Sequence, residues 1–338
     1  FSSRNLQDQT WEMTSEISSG ISSALFGNKL LLSATWYKRN ITDLILPDFS
    51  QASIIFMNGG ELSSNGIELS LNLQNLTEGN LKWKPGLYFN KYSNEVISTG
   101  TFSDGYLLGF NGNSNIIRKS ESLYAFWGLE TEGIFQEQGD LDSHALQTGA
   151  ERGDIRYKNQ NTDNVIDEKD KVVIGNPNPD FYLGFDNTIT FKGFEFNILF
   201  QGAIGADRLN LVKMQTESSN DFINMASNVA DRWTTGSNEN EIPRASQGTN
   251  NTMLSDRFIE KADYLRIKQL TMGYNFPPSK LKSLGISSVT IYLTGSNLFT
   301  FSNYSGYDPE ASSFDILGID YGAYPNARTI GCGIRLGF

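Results

Sequence analysis

The sequence predicts an all-β chain and, more narrowly, a segment of an antiparallel transmembrane β-barrel. Nine separate segments alternate apolar and polar residues, which is the period of a strand whose two faces meet different surroundings. Short connections alternate with long ones along the chain, as they do in outer-membrane barrels. No run of about 18 apolar residues occurs, so no transmembrane helix is expected.

Each predicted strand is recognised by apolar residues spaced two apart on one face. The segment 264–276 changes phase midway, which predicts a β-bulge near Gln269. The last strand alternates up to the terminal aromatic residue. The apolar positions that define the nine strands are, in chain order, Ile17, Ile21 and Leu25; Leu30, Leu32, Ala34 and Trp36; Ile67, Leu69, Leu71 and Leu73; Trp83, Leu87 and Phe89; Phe181, Leu183, Phe185, Ile189 and Phe191; Phe194, Phe196, Ile198 and Phe200; Leu265, Ile267, Leu270, Met272, Tyr274 and Phe276; Val289, Ile291, Leu293, Phe299 and Phe301; Ile330, Cys332, Ile334, Leu336 and Phe338.

The connections between these strands sort by length. A barrel with short turns on one side and long loops on the other gives this alternation, whereas a soluble sandwich has no reason to sort its loops by side. If the chain ends on the periplasmic side, every long loop is extracellular. Short connections are predicted at 26–28, 74–80, 192–193 and 277–287, and long ones at 40–62, 98–180, 205–261 and 302–326.

The residues between the apolar positions fit a water-filled lumen. Aromatic residues near strand ends suit the girdles that lie at the two membrane interfaces. The polar rows that oppose the apolar ones include Glu195, Asn197 and Gln201, and then Ser288, Thr290, Thr294 and Ser296. The candidate girdle residues are Trp36, Tyr37, Phe191, Phe276, Phe299 and Phe301.

Composition excludes several classes of function. The 338 residues carry a formal net charge of -11, which argues against a nucleic-acid partner, since such surfaces need clustered Lys and Arg. The single cysteine, Cys332, excludes an internal disulfide and is expected to be an inert small hydrophobe. His144 is the only histidine and has no second histidine for a metal site or triad. The chain is therefore not expected to be an enzyme.

The odd strand count has a consequence for the assembly. Single-chain bacterial barrels have even strand numbers, and an open edge in lipid leaves backbone groups without hydrogen-bond partners. The remaining strands are expected either to precede Phe1 in the same polypeptide or to come from another chain.

Ordered sequence blocks resemble the C-terminal part of SusC/RagA-type TonB-dependent outer-membrane transporters over nearly the whole chain. The central block spans 153–181 and reads GDIRYKNQNTDNVIDEKDKVVIGNPNPDF. The other blocks are TWEMTSEISSGI, NGGELSSNGIELSL, SDRFIEKADYLRIKQLTMGYNFP, YLTGSNLFTFSNYSGYDPE and YPNARTIGCGIRLGF. The resemblance implies a barrel of 22 strands with an N-terminal plug that is energised through TonB. It also implies a SusD-like surface lipoprotein that closes the outside as a lid.

The resemblance implies that residues 1–338 are the last nine strands or so of an importer, without plug or TonB-contacting segment. The implied location is the outer membrane of a Gram-negative bacterium, with residues 98–180 and 205–261 as extracellular loops. The nutrient would be an oligosaccharide or a peptide. Phe338 would be the terminal aromatic residue that insertion machinery recognises. Three alternatives stay open: a metal-chelate receptor, a structural or assembly barrel without transport, and, more distantly, a soluble carbohydrate-binding β-sandwich.

An EF-hand-like register lies within the central block. Oxygen ligands at this spacing can surround Ca²⁺, so a calcium site is one interpretation and a polar loop rich in Asx turns is the other. Asn159 replaces the usual aspartate at position 1, and Asn164 the usual glycine at position 6. The candidate ligands are Asn159, Asn161, Asp163, Asp167 and Asp170 at positions 1, 3, 5, 9 and 12, with the carbonyl of Val165 at position 7.

The long loops contain the other candidate contact residues. The stretch 207–233 is expected to form one or two short helices that contact a lid or pack on their own loop. Its apolar residues are Leu211, Met214, Phe222, Met225, Val229 and Trp233. Loop aromatics either contact substrate or lid, or anchor the loops. Among Tyr124, Phe126, Trp127, Tyr304, Tyr307, Phe314, Tyr321 and Tyr324, the candidates for substrate or lid contact are Tyr124, Trp127, Tyr304, Tyr307 and Tyr324.

Overall fold

The protein is described here from a computed structural model. The structure describes residues 9–48, 55–74, 77, 79–100, 105–218, 223–236, 241–248, 250–281, 285–310 and 318–338, with the backbone alone at 47–48, 55–56 and 280.

Strands dominate the described residues. In chain order they are β1 (Met13–Leu25), β2 (Leu30–Asp48), β3 (Ile55–Leu73), β4 (Leu81–Thr99), β5 (Tyr106–Leu108), β6 (Asn115–Ile117), β7 (Ala125–Gly128), β8 (Thr131–Ile134), β9 (Ile155–Tyr157), β10 (Val172–Gly175), β11 (Phe181–Phe191), β12 (Phe194–Ile204), β13 (Asp207–Asn210), β14 (Ile259–Lys261), β15 (Tyr264–Asn275), β16 (Ser288–Ser302), β17 (Ile319–Asp320) and β18 (Thr329–Gly337).

Helices are short and lie between the long strands. The α-helices are α1 (Gln138–Ser143) and α2 (Leu211–Glu217). The 3₁₀ turns are Phe110–Gly112, Glu168–Asp170, Ser227–Asp231, Asn250–Thr252, Asp256–Phe258 and Pro278–Lys280. No helix among the described residues is long and apolar enough to cross a membrane.

The nine predicted strands form one antiparallel sheet, which we call the wall. Its strand order is β1-β2-β3-β4-β11-β12-β15-β16-β18, so the prediction of nine strands is confirmed. The register aligns the apolar rows: Leu87 pairs with Phe185, Phe185 with Phe200, and Phe200 with Ile267. Residues directly opposite one another share a face, so one face of the wall is apolar across neighbouring strands.

The apolar face of the wall is its exposed face. Ile21, Leu293 and Ile330 have 65%, 57% and 75% of their surfaces accessible. A water-soluble sheet would bury this face against a second layer, and exposed apolar patches of this extent mark a surface that contacts another apolar phase. The wall is therefore the lipid-facing band of a transmembrane barrel segment.

The other face of the wall is polar and lines the lumen. Thr271 and Thr294 share a hydrogen bond of 3.2 Å, and Asn197 donates to Thr188 at 2.9 Å. Tyrosine rings lie over glycines of the adjacent strand: a Cβ atom on Gly333 would lie 2.5 Å from the ring of Tyr292. Glycine there makes room for a large ring on the neighbouring strand, as expected for strand glycines.

The predicted bulge is present, one residue from the expected position. The pairing of β12 with β15 passes from Leu199–Gln269 to Phe200–Ile267, so Lys268 is the extra residue. On the other edge of β15, the register with β16 shifts at the same place. The phase change in the sequence therefore reports a real interruption of the ladder.

One predicted loop is wrong. The long connection proposed at 40–62 is mostly strand, because β2 continues to Asp48 and β3 begins at Ile55. The register between them shifts twice, between Ile41 and Leu44 and between Leu44 and Ile45, and Asp43 has a positive φ of 56°. These irregularities interrupt the alternation of apolar residues, which is why the sequence pattern resembled a loop.

The three longer connections on the same side of the wall pack together into a body with its own core. We call this body the loop assembly; it comprises the described residues of 105–180, 205–263 and 303–328. Its largest cluster joins all three connections and consists of Phe126, Leu209, Leu211, Phe258 and Ile319. Strand β13 pairs antiparallel with β14 and parallel with β17. The long connections are therefore one packed unit.

Candidate functional site

A buried ion pair joins the first two connections of the loop assembly. Asp154 is 1% exposed, and Arg244 donates to both of its carboxylate oxygens at 2.7 and 3.2 Å. Asn251 donates to the same carboxylate at 2.9 Å and accepts from the amide of Ile155 at 2.9 Å. The hydrogen bond with Asp154 raises the pKa of Arg244. Because each buried polar group has partners, the pair fixes the relative position of the two connections.

The segment NPNPD, residues 176–180, also joins the first and second connections of the loop assembly. Asn178 donates its side-chain amide to the carbonyl of Leu123 at 2.8 Å. Asp207 at the start of β13 accepts from the amide of Asn176 at 2.8 Å and pairs with Lys261 at 2.8 Å. These bonds hold the start of β13 against the segment that precedes β11 and against β14.

The third connection is attached to the lumenal face of the wall by Arg266. This guanidinium is 2% exposed and donates to the carboxylates of Asp308 and Glu310. Lys268 also pairs with Glu310, at 3.1 Å. Burial by itself raises the pKa of Asp308, but the amides of Glu310 and Asn326 and the charge of Arg266 together lower it below its usual value. Asp308 is therefore held as an anion.

A cavity of about 380 Å³ lies between the loop assembly and the lumenal face of the wall. We call it the inner-wall cavity. Its wall side is formed by Tyr92, Tyr182, Gln201 and Tyr264. These residues face the lumen because their neighbours Leu183 and Leu265 belong to the apolar face. Its loop side includes Asn178, Arg208 and Glu310. The size is typical of small-molecule sites.

The aromatic lining of the cavity is ordered. Tyr92 and Tyr182 lie on adjacent strands with parallel rings, 6.3 Å between centroids and 7° between planes. The hydroxyl of Tyr92 donates to Asn178 at 3.4 Å, and Gln201 donates to the hydroxyl of Tyr264 at 3.4 Å. Flat rings with polar tips can contact the apolar faces of a ligand and still offer hydrogen bonds. The lining can therefore accept polar organic molecules.

The EF-hand-like segment is a loop of Asx turns. In each turn a side-chain oxygen accepts a backbone amide: Asn159 from Thr162, Asn161 from Asp163, Asp163 from Val165, and Asp167 from Lys169, at 2.8 to 3.0 Å. Asn164 has a φ of 65°, as the EF-hand register requires at this position. These contacts form a series of Asx turns, and they do not test whether the segment also binds calcium.

Asp170, the candidate ligand at position 12, already accepts hydrogen bonds from the backbone of the loop. Asp170 is fully buried, and its two oxygens accept the amides of Gln160 and Asp167, each at 2.8 Å. Across the described part of the chain, no group of three or more His, Cys, Asp or Glu side chains could hold a metal. Calcium binding stays a prediction.

The predicted loop aromatics divide into anchors and exposed rings. Tyr304 is 8% exposed and its hydroxyl donates to Asp320 at 2.7 Å; burial, followed by this carboxylate, raises its pKa. Trp127 lies under the guanidinium of Arg118 at 4.6 Å. Tyr124 lines the inner-wall cavity. Tyr307 and Tyr324 are 68% and 86% exposed, so the rings of these two residues face solvent.

The predicted helical stretch and the single histidine both lie within the loop assembly. The stretch 207–233 contains helix α2 and the 3₁₀ turn Ser227–Asp231, which confirms the short helices. His144 ends helix α1 and packs its ring edge-on against Phe135. Phe222 and Phe314 lie outside the described residues.

Sequence reasoning missed the arginines at the base of the loop assembly. Arg208 lies in the short strand β13, and Arg266 follows Leu265 on the lumenal face of β15. A signal for Arg266 was present, since a charged residue stood on the polar phase of a predicted strand and the acidic segment DPE followed in the next loop. No local pattern marked Arg208.

No protein-family model matches the chain. The chain is 30% identical over its full length to TonB-dependent receptor P3 of Formosa agariphila and covers 35% of that protein. It is 23% identical over 97% of its length to TonB-dependent receptor SusC of Bacteroides thetaiotaomicron, of which it covers 32%. The RagAB peptide transporter shares its fold, with a TM-score of 0.81 over 97% of the chain at 21% identity and 36% coverage of that chain.

The chain is similar over its full length to TonB-dependent receptors. It spans about a third of the length of the curated relatives it matches. The relatives are named receptors and the structural match a transporter, rather than enzymes. In this receptor segment the wall supplies the lipid-facing and lumenal surfaces, and the loop assembly covers the inner-wall cavity.

Proposed function

We propose that the chain is the wall and loop cap of an outer-membrane importer that takes up an oligosaccharide or a peptide. The long connections would be extracellular and the C-terminus would lie on the periplasmic side. A SusD-like surface lipoprotein would close the outside, and the TonB complex would act through the plug of the receptor.

The inner-wall cavity supports this proposal best. It lies where a lumenal surface rich in tyrosine meets a packed cap of loops, and its lining combines aromatic rings with amide and charged groups. Binding sites with a few oriented polar groups on an aromatic lining suit sugars and peptides alike. The exposed rings of Tyr307 and Tyr324 lie in the same cap and would face the lipoprotein lid.

Growth on defined nutrients tests the proposed function. A strain that lacks the full-length receptor gene should lose growth on either an oligosaccharide pool or a peptide pool, and the intact gene should restore it. Loss of growth under iron or cobalamin limitation alone would favour the metal-chelate receptor instead. The structural barrel would be favoured by two results together. Deletion of the gene would change the use of no nutrient, and the purified complex would contain neither a plug nor a lipoprotein.

The terminal residue tests the assignment of the last strand. Phe338 is 89% exposed next to the apolar face of β18, in agreement with recognition by insertion machinery. Deletion of Phe338 should reduce the amount of heat-modifiable barrel in the outer membrane severalfold. Substitution by tyrosine should preserve it because an aromatic terminus remains. Unchanged barrel levels after the deletion would remove this role.

Calcium binding by 159–170 is supported by the ligand spacing and by the left-handed conformation of Asn164. Titration calorimetry of the folded full-length receptor should show one Ca²⁺ site that is lost in Asp163→Ala and kept in Asp142→Ala, whose carboxylate is exposed on helix α1. No heat with the folded wild-type protein would establish the loop as a metal-free Asx-turn segment.

A further inference from the structure

We infer that the inner-wall cavity binds a carboxylate group of the imported molecule through Arg208. This inference deepens the proposed function, on which it rests, because it gives the chemical class of one part of the substrate. The shared chemistry is a carboxylate, which either a peptide or a uronic-acid oligosaccharide can supply.

Arg208 is held in place by its backbone and by one side-chain bond. Strand β13 is fixed on both edges by β14 and β17, and the flanking residues Asp207 and Leu209 are buried. The Nε atom of Arg208 donates to the carbonyl of Pro309 at 2.9 Å. A carbonyl orients the guanidinium without neutralising it. The two terminal nitrogens have no hydrogen-bond partner among the described residues, and their fixed fork matches the geometry of a carboxylate.

Among the residues that the structure describes, the charges around the cavity give Arg208 no anionic partner. Among the described residues, no carboxylate forms an ion pair with Arg208 within 4.0 Å, while its neighbour Asp207 pairs with Lys261. The cavity lining contains one carboxylate, Glu310. That carboxylate is already shared by Arg266 at 2.6 Å and Lys268 at 3.1 Å. Within the described lining, Arg208 is therefore a positive charge without an ion pair, and it lies beside an anion that already has two cationic partners.

The rest of the lining suits the body of such a molecule. Tyr92 and Tyr182 provide parallel rings against which a sugar ring or a peptide plane can pack. Gln201 and the hydroxyl of Tyr264 supply hydrogen-bonding groups on the same side. A partly enclosed site strengthens an ion pair relative to bulk water, because fewer water molecules screen it. Arg208 would therefore recognise the charged end while the tyrosines contact the neutral part.

The test uses the full-length receptor isolated from the outer membrane and two matched pairs of probes. One pair is acetyl-tetraalanine with a free C-terminal carboxylate and its C-terminal amide. The other is a tetrauronate and its methyl ester. Each pair is supplied as an equimolar mixture, and native mass spectrometry measures the ratio of acid to neutral form retained. The proteins compared are the wild type, Arg208→Met, Arg208→Lys and the control Arg152→Met, which removes an exposed arginine outside the cavity.

The wild type and Arg152→Met should retain the acid form of one pair about tenfold or more over its neutral twin, since a charge-assisted bidentate contact supplies a preference of this order. The ratio should fall to about one in Arg208→Met. In Arg208→Lys it should be intermediate, because the charge stays and the fork is lost. The pair that shows the preference identifies the source of the carboxylate. If Arg208→Met does not assemble as a heat-modifiable barrel, Arg208→Lys takes its place.

Equal retention of acid and neutral forms by the wild type, or an acid preference that Arg208→Met or Arg208→Lys leaves unchanged, would overturn the carboxylate subsite. Retention of neither form of either pair would overturn it as well. The growth assay judges the proposed function separately, because a receptor that supports growth on a nutrient pool without an acid preference is still an importer.

Discussion

The wall exposes its apolar residues on the protein surface, whereas the loop assembly buries its apolar residues in a core. In the wall, apolar side chains such as Leu293 and Ile330 are more than half exposed, and polar ones line the lumen. In the loop assembly, Phe126, Leu209 and Ile319 are fully buried, as in a water-soluble domain. The two regions arrange their apolar residues differently because the wall is surrounded by lipid and the loop assembly by water.

The two regions also differ in what holds them together. Neighbouring strands of the wall are joined by continuous backbone ladders and by side-chain pairs such as Phe185 with Phe200, whose rings lie 6.2 Å apart. The loop assembly has short ladders and relies on buried polar clamps such as Asp154 with Arg244. Periodic backbone pairing needs only the right alternation of residues, whereas a clamp needs particular side chains far apart in sequence. The wall should therefore tolerate changes that keep the alternation, and the loop assembly should not tolerate the loss of a clamp residue.

The largest effect is expected from breaking the clamp at Arg244. Arg244→Met leaves the carboxylate of Asp154 buried without its cation, which costs about 3–5 kcal/mol for buried pairs. Hydrogen exchange at the amides of Ile155 and Asn251 should accelerate strongly, while the barrel stays heat-modifiable. Arg152→Met removes an exposed charge nearby and should change neither. Equal protection in Arg244→Met would show that the hydrophobic cluster alone holds the loop assembly.

A charge on the lipid-facing side of the wall tests the orientation of the sheet. Leu293→Lys should destabilise the barrel by about 2–4 kcal/mol, the cost of a basic residue deep in the lipid face of a barrel. Thr294→Lys, one residue further and facing the lumen, should cost much less. Urea unfolding of the full-length receptor in lipid vesicles measures both. A larger loss for Thr294→Lys than for Leu293→Lys would reverse the assignment of the two faces.

The smallest effect concerns the anchor of the last loop. Tyr304→Phe removes the donor to Asp320, whose carboxylate is 1% exposed and otherwise accepts the amides of Gly322 and Ala323. Leaving one oxygen of this group without its donor should cost about 1–3 kcal/mol. Tyr324→Phe alters an exposed ring and should be neutral. Limited proteolysis of the third connection compares the two variants, and Tyr304→Phe should be cleaved faster than Tyr324→Phe. Similar cleavage of both variants would show that packing alone holds Tyr304.

The sequence predicted the wall in detail because strand alternation is a local property. Nine strands, the phase change beside Lys268 and the polar lumenal rows can each be recognised within a short segment. The error at 40–62 has the same origin, since the irregularity around Asp43 interrupts the local pattern although pairing continues beyond it. The predicted site residues were less informative. Spacing placed six ligands in a register, but it could not reveal that the oxygens of Asp170 already accept two backbone amides.

By itself, the sequence determined the class of fold, the two faces of the sheet, three of the four predicted long connections and the family resemblance. Tertiary structure alone decided which distant residues meet. Arg244 reaches Asp154 across 90 positions and Arg266 reaches Asp308 across 42, and Arg208 is left beside the inner-wall cavity without an anionic partner among the described residues. The physical reason is that a periodic pattern fixes the direction in which a side chain points, whereas the partner of a charge depends on how separate loops pack against one another.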